Sequence, residues 1–462
     1  MREYRADKLN ILQVAGLVAI GTVACYVSLV VTLVWGAIFL ITLAAIVTGR
    51  QDWIWYCIAG SPIIEVWSRM VKGAVVPDEM GKYYLLLAIA AILLHHVKSA
   101  SNKPLYRTGW ILLIVLLPGL IVAIADFNLD QWVFNILPTL ELAALLIFAA
   151  RERWDVERFA KTLQFGLMPV LFVVMYLILK TPAISSVNFM LGANFKAAGG
   201  GTNQVSTVLG LGILYTMLLL LLKRPIVARW ACYLLVAFLF FRSFLTFSRG
   251  GVFTAVASVY IAIGFAMIVN RKTFIRYSLI MIVFAALGIF VFNKVDELTG
   301  YKLTQRYSGE TIATVSGEQE KTWNKVTSGR TTLIAADWNI FKEYFLFGTG
   351  PGGAKALRTR YGAPPDSAAH TEVTRLMSEH GLGGLLAAII LLLFPVYWLR
   401  KQRYGLWMGI SAALFCMAIL TSMHSAMRTN TTIVCYTLAA IPVYIKTKKR
   451  AGQQAAHIIH RQ

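Results

Sequence analysis

Apolar stretches about as long as a bilayer is thick recur through the whole chain. They lie near 11–29, 31–49, 54–71, 83–97, 108–126, 131–150, 160–179, 204–222, 230–248, 250–269, 273–293, 381–399, 405–422 and 430–446. A helix needs about 20 mostly apolar residues to cross the hydrocarbon. In lipid, moreover, every backbone polar group must find its partner inside the protein. Barrel strands would alternate in polarity, and these runs do not. The expected fold is therefore all-α, a polytopic helical membrane protein of about 12–14 transmembrane helices. Its composition, 58% hydrophobic and 14% charged, stands far from the roughly 25% charge of soluble domains. After Met1-Arg2-Glu3-Tyr4-Arg5 the first apolar run continues past the length of a signal-peptide core, with no small-residue cleavage site, and reads as a span.

Two segments constrain the count. No turn signal divides Ile11 to Thr48, a run about twice the length of one crossing, so a tight helical hairpin is expected there. The 54–71 segment is interrupted by Gly60, Pro62, Glu65 and Arg69 and reads either as a span or as a re-entrant loop. The chain then divides into an N-terminal bundle (1–293), a large outer helical loop (294–370), C-terminal helices (371–446) and a basic tail (447–462).

The formal charge of +22 does not point to nucleic acid. Lys and Arg accumulate in the loops of membrane proteins that stay cytoplasmic. With the N-terminus inside, the short inner loops hold 25 of the 44 Lys and Arg, and the outer ones are almost clear of them apart from 294–370. Both termini are expected inside. The five cysteines fall singly within apolar segments, without metal or disulfide spacing.

Four polar clusters are left on the outer side. Gly199-Gly200-Gly201-Thr202-Asn203-Gln204 opens a span; it reads as a loop and cap, or as backbone N–H groups turned toward an anion. Phe247-Ser248-Arg249-Gly250-Gly251 ends another span, with Arg242 seven residues earlier inside the apolar run. Arginine at membrane depth is costly and marks a site or a pair; snorkelling, or neutralising an acid such as Glu65, is the competing account. Ser328-Gly329-Arg330 begins an amphipathic helix, Thr331–Phe347, with Leu333, Ala336, Asp337, Ile340, Phe341 and Tyr344 on one face. That face is expected against the outer membrane surface, with Trp338 and Phe341 at interfacial depth. A cation at a helix start opposes the macrodipole, so Arg330 should meet an anion, either a ligand or Glu320 or Asp337. Last, His370 precedes the helix Thr371–His380, whose positive end disfavours imidazolium. A neutral ring there can accept a hydroxyl proton. His424 in a short outer loop is a weaker candidate, and His380 before Gly381 reads as a helix end.

There is no Walker loop, Asp-x-Asp pair, His/Cys ligand spacing or Gly-x-Ser-x-Gly elbow, so no cofactor or metal is expected. A transporter is the reading from another class. It would hold its charges near the bilayer midplane in repeated halves, and only Arg242 suits it.

Taken in order, Ser248-Arg249-Gly250, Ser328-Gly329-Arg330, Leu346-Phe347-Gly348-Thr349-Gly350-Pro351-Gly352, His370 and Glu379-His380-Gly381-Leu382 resemble the O-antigen ligase and O-antigen polymerase superfamily over roughly 200–400. The family usually has Asn after the histidine; this chain has Thr371. The resemblance implies a metal-independent GT-C glycosyltransferase at the periplasmic face of the bacterial inner membrane. Such an enzyme passes a glycan from undecaprenyl diphosphate to an acceptor hydroxyl, on the lipid A core for a ligase or on another lipid-linked repeat for a polymerase. His370 would be the base and Arg249, Arg330 and Arg242 the diphosphate ligands, with Ser248, Asn203, Gln204 and Glu379 in support. Transfer should then fall as pH drops through a histidine pKa below about 6.5.

Overall fold

The computed structural model describes residues 8–95, 102–122, 124, 128–268, 271–318, 320, 327, 329–365, 367–402, 405–445 and 457–458. Ser328, the N-terminal 1–7 and all of the tail except 457–458 lie outside the described residues. Helices α1 (Ile11–Ala24), α2 (Leu29–Thr48), α3 (Gln51–Met70), α4 (Met80–His95) and α5 (Lys103–Val122) come first. They are followed by α6 (Leu129–Asn135), α7 (Leu137–Ala149), α8 (Val156–Leu167), α9 (Val170–Leu179) and the short α10 (Phe195–Ala198). Next are α11 (Thr202–Leu221), α12 (Arg229–Leu245), α13 (Arg249–Met267) and α14 (Arg271–Leu298). The long connection holds α15 (Lys302–Tyr307), α16 (Ile312–Val315), α17 (Arg330–Glu343) and α18 (Ala354–Leu357). The chain closes with α19 (Glu372–Arg400), α20 (Gly405–Ser425) and α21 (Thr431–Ala440).

The protein is thus an all-α polytopic membrane protein. Among the described residues, 8 helices are long and apolar enough to cross a membrane, or 9 if α6 and α7, bent by 53°, make one span. The remaining apolar helices occupy expected positions but are shorter: α1, α4 and α21 fall between 10 and 17 residues, and α12 has 17. The 11–48 run does break into a hairpin, at 25–28. The segment read as either span or re-entrant loop forms one continuous helix, α3, in spite of Pro62. Its buried ion pair is satisfied internally: Arg69 pairs with Glu65 at 2.6 Å, and the other Glu65 oxygen accepts the Asn430 N–H at 2.9 Å. The last run ends earlier than expected, at Ala440, because Pro442 cannot donate within a helix. Beyond it Val443–Ile445 pairs parallel with Trp154–Asp155 and antiparallel with His457–Ile458.

Nearly all of α11 is buried, so it needs no polar face. It packs closely on α13 where Gly251 meets Ser206, whose Oγ would stand 2.2 Å from any Cβ at that position. Small residues allow such backbone approach where lipid supplies no hydrophobic drive between helices. The polar connectors gather at one end of the bundle. There Arg69 reaches the Arg428 carbonyl (3.2 Å), Asn194 N–H the Thr246 carbonyl (3.1 Å), Arg306 the Leu191 carbonyl (3.2 Å) and Ala426 N–H the His370 carbonyl (3.1 Å). At the far end of α3, Trp55 and Trp154 donate to Glu152, which Arg158 binds at 2.8 Å.

Candidate active site

Arg249 is set in place by the sharp turn between α12 and α13. Phe247 there has φ 57, a left-handed conformation costly for a bulky residue; full burial and stacking on Phe189 at 5.4 Å hold it. Ser248 Oγ then donates to Asn203 Oδ1 (2.8 Å), and its carbonyl accepts from Ser206 Oγ (3.2 Å). Gly250, the residue after Arg249, lies against the His424 ring, where a Cβ would stand 2.4 Å from Cδ2. His424 Nδ1 faces the Leu420 carbonyl (2.8 Å), and Nε2 faces Thr207 Oγ1 (3.2 Å), which bonds the Asn203 carbonyl (2.7 Å). Two of the expected supporting residues, Ser248 and Asn203, therefore belong to one network under Arg249. Gln204 follows half-buried at the start of α11.

His370 is placed by a joint in α19. That helix breaks at Gly381 (φ 57, ψ −133), which ends a first segment 372–380. The Gly348-Thr349-Gly350 turn docks on the break. Thr349 and Gly350 N–H groups donate to the Ser378 and Glu379 carbonyls (3.1 and 2.9 Å), and Leu382 N–H to Phe345 (2.7 Å). Carbonyls at a helix end that lack intrahelical partners are thus satisfied. Gly348 has φ 72, and a Cβ on it would stand 2.3 Å from the Glu379 carbonyl carbon. The two glycine-bearing motifs are therefore halves of one joint. Glu379 belongs to its framework: fully buried, it pairs with Arg375 at 3.0 Å, which also binds Glu372.

Arg330 is the first residue of α17. Asp337, an expected partner, binds Arg358 instead (2.7 Å) and accepts from Thr374 Oγ1 (2.9 Å), so it ties α17 to the start of α19. Leu333, Ala336, Asp337, Ile340 and Phe341 are buried, as their spacing predicts. They face protein rather than the membrane surface, however. Ile334, Trp338 and Phe345–Phe347 are the exposed apolar residues of this region.

Arg330 is the common neighbour here: it acts on Arg306, Arg428, His370 and His424, while Arg249 acts on Arg306 and Arg330. Burial, then Arg249 and Arg330, hold the Arg306 guanidinium down at about 10. Burial and then Arg249 likewise lower Arg330. Arg428, whose Nη2 donates to the Ala369 carbonyl at 2.7 Å, is held at about 10 by burial, then Arg358, Arg375 and Arg330. His370 falls to about 4, through burial first and then Arg428 and Arg330. The ring is neutral at pH 7, and its buried Nδ1 has no hydrogen-bond partner. Burial comes first in that shift, and the two arginines follow. Cations that depress one another in this way form a site suited to an anion.

Arg242 stands apart from this cluster. It is buried, and its Nη2 donates to Thr181 Oγ1 (2.8 Å) and the Ala197 carbonyl (2.9 Å), stitching α9 and α10 to α12. Arg306, Arg428 and Tyr307 were not singled out from sequence. For Arg428 a signal existed, since it is a basic residue in an outer connector that the charge distribution leaves almost clear. Beside the cluster, an apolar groove of about 330 Å³ runs between α12, α13 and α14 past Phe244, Phe253, Phe284 and Phe292 and ends at Tyr307. The neighbouring Arg249 and Arg306 act on the Tyr307 hydroxyl. Among the described residues no three His, Cys, Asp or Glu side chains gather to hold a metal ion.

An all-α membrane bundle with arginines and a neutral histidine at one end defines the class. Residues 234–388 match the family described as O-antigen ligase, which supports the resemblance of that part of the chain to the O-antigen ligase and polymerase superfamily. The matched segment runs from α12 into α19 and contains Arg249, Arg306, Arg330 and His370. Comparison with curated proteins and with solved structures gives no match.

Proposed function

We propose that the protein transfers a glycan from undecaprenyl diphosphate to an acceptor hydroxyl at the periplasmic face of the inner membrane. The observation that carries this reading is the group of buried neighbouring arginines beside a neutral histidine. Arg249, Arg306 and Arg330 bind the donor diphosphate and stabilise the charge it gains on leaving. The groove that ends at Tyr307 receives the first isoprene units. The acceptor oxygen attacks the anomeric carbon. The bond from that carbon to the diphosphate oxygen breaks with its electron pair on the diphosphate, and the hydroxyl proton passes to His370.

Asn203, Ser248 and His424 hold Arg249 in position, and Glu379 supports His370 through the α19 joint. Arg242 serves the framework. Both termini lie in the cytoplasm under this reading. Ligation to the lipid A core is favoured slightly over polymerisation. Deleting the gene and separating envelope glycans on a gel tests this. A ligase loses polymer on lipid A while polymer builds up on the carrier, whereas a polymerase leaves single repeats on the acceptor. Unchanged envelope glycans would sink both.

A further inference from the structure

The long connection between α14 and α19 leaves one apolar row uncovered. Along α17, Ile334 and Trp338 stand four residues apart and share a face, distinct from that of the buried Leu333, Asp337 and Ile340. The Trp338 ring packs on Phe341 (5.5 Å) and Phe341 on Phe345 (5.3 Å), so the row continues past the helix into Phe345-Leu346-Phe347. Phe341 itself is buried, but Trp338 is 49% exposed, Leu346 59% and Phe347 52%. A contiguous apolar patch of this kind marks a surface that meets lipid or protein.

What the row meets follows from the α19 joint. Leu382 N–H donates to the Phe345 carbonyl (2.7 Å), and Leu382 opens the part of α19 that runs on beyond the Gly381 break. Along that part Leu382, Leu386, Ile389, Leu393 and Val396 are all exposed, and their spacing puts them on one side of the helix. The helix is long and apolar enough to cross a membrane, so this stripe faces acyl chains. From Leu382 to Arg400 it rises about 27 Å at 1.5 Å per residue, against about 30 Å of hydrocarbon. With Arg400 and Lys401 at one water boundary, Leu382 lies near the other. Phe345–Phe347 therefore cap the stripe at the depth where aromatic side chains collect.

We propose that Trp338, Phe345, Leu346 and Phe347 are sunk as a wedge into the leaflet on the side of the arginine cluster. The partner is phospholipid, met at the level of the glycerol backbone and the first methylenes. Lys342, one turn after Trp338 and exposed, extends its ammonium toward the phosphates. The wedge leads straight into the Gly348 turn, so the bilayer braces the joint from which the His370 segment hangs. The assignment stands on the fold and does not depend on the transfer reading.

The test uses the full-length protein in phosphatidylethanolamine–phosphatidylglycerol vesicles, with a nitroxide attached to Leu346→Cys or Phe347→Cys. Both positions are exposed, so neither change empties the core. Native protein labelled in parallel accounts for Cys57 and Cys416, the cysteines that are only partly buried, and Leu386→Cys in the lipid-facing stripe is the reference. Oxygen concentrates in hydrocarbon and a nickel chelate in water, so the ratio of oxygen to nickel collisions at 346 and 347 should exceed that of free label in buffer about threefold or more, approaching the ratio at 386. A ratio at either position equal to that in buffer overturns the assignment. Shielding from both reagents together with spin–spin broadening overturns it too, because the row is then covered by a second copy of the chain.

Discussion

Replacing Gly348 by Ala should open the α19 joint without dismantling the bundle. The added Cβ would stand 2.3 Å from the Glu379 carbonyl carbon and 2.4 Å from its oxygen and from His380 N, all of them backbone atoms with little room to yield. The φ of 72 adds a left-handed penalty, about 1–2 kcal/mol for an L-residue. Relief of the overlap pulls the turn away from three backbone bonds, those of Thr349, Gly350 and Leu382 N–H, worth about 1 kcal/mol each. Together these come to roughly 4–5 kcal/mol, or about 1,000- to 5,000-fold in the local opening equilibrium. Hydrogen exchange followed by mass spectrometry should show that loss of protection in peptides covering 345–352 and 376–384, with α11 unaffected. Transfer should fall through kcat, because the segment 372–380 sets where His370 stands. Gly362→Ala is the control. It has φ 79 but nothing within 4 Å, so it carries the backbone strain alone, near 1 kcal/mol. Exchange in Gly348→Ala within threefold of native at those peptides would refute the joint.

Arg306→Gln and Arg330→Lys should each weaken binding of undecaprenyl diphosphate about tenfold or more, since a charge-assisted bond contributes ~1.5–3 kcal/mol and Lys lacks the planar fork; native affinity in both removes them from the donor site. His370 has a native pKa of about 4, below its unfolded value of about 6.5, so the neutral base persists to lower pH than the sequence alone suggests. Chemistry-limited transfer should be flat from pH 8 to 5 and decline below, and the ring's contribution to stability should be lost between 6.5 and 4; an acid limb centred between pH 6 and 7 contradicts this. Arg242→Met should lower the melting temperature by several degrees and leave donor KM unchanged; a tenfold rise in donor KM at native stability would return Arg242 to the site.

The helical bundle was legible in the sequence because bilayer thickness and backbone satisfaction impose a length on each apolar run. The site was legible in part. Arg249, Arg330 and His370 stood out as costly polar residues beside spans, and Arg330 neighbours both of the others electrostatically. Arg242 looked equivalent by the same criterion. Sequence separation along one helix says nothing about which neighbours a side chain meets, and Arg242 meets Thr181 and the Ala197 carbonyl. Arg306 was hidden because its importance comes from where α15 folds back, a contact made over more than a hundred residues with Leu191. The α17 face was read correctly in its spacing and assigned to the wrong neighbour, since periodicity reports burial but not what does the burying.

The two glycine motifs and the arginines solve different halves of one problem. Arg306 and Arg330 are lowered by burial first and then by neighbouring arginines; like charges repel, and a flexible loop would let them separate. Here each guanidinium stands on an element anchored by other means. Arg249 is fixed by the Phe247 turn and Ser248–Asn203, Arg306 by its bond to the Leu191 carbonyl, and Arg330 by α17, which Asp337 ties to Arg358 and Thr374. The clustered positive charge is therefore held in place by the fold, in a form suited to a diphosphate. Preorganised charge of this kind acts without reorganisation at the moment of reaction. The Gly348–Gly381 joint gives His370 the same rigidity on the opposite side. Donor binding should therefore raise the melting temperature more than acceptor binding does, because only the donor neutralises the clustered charge.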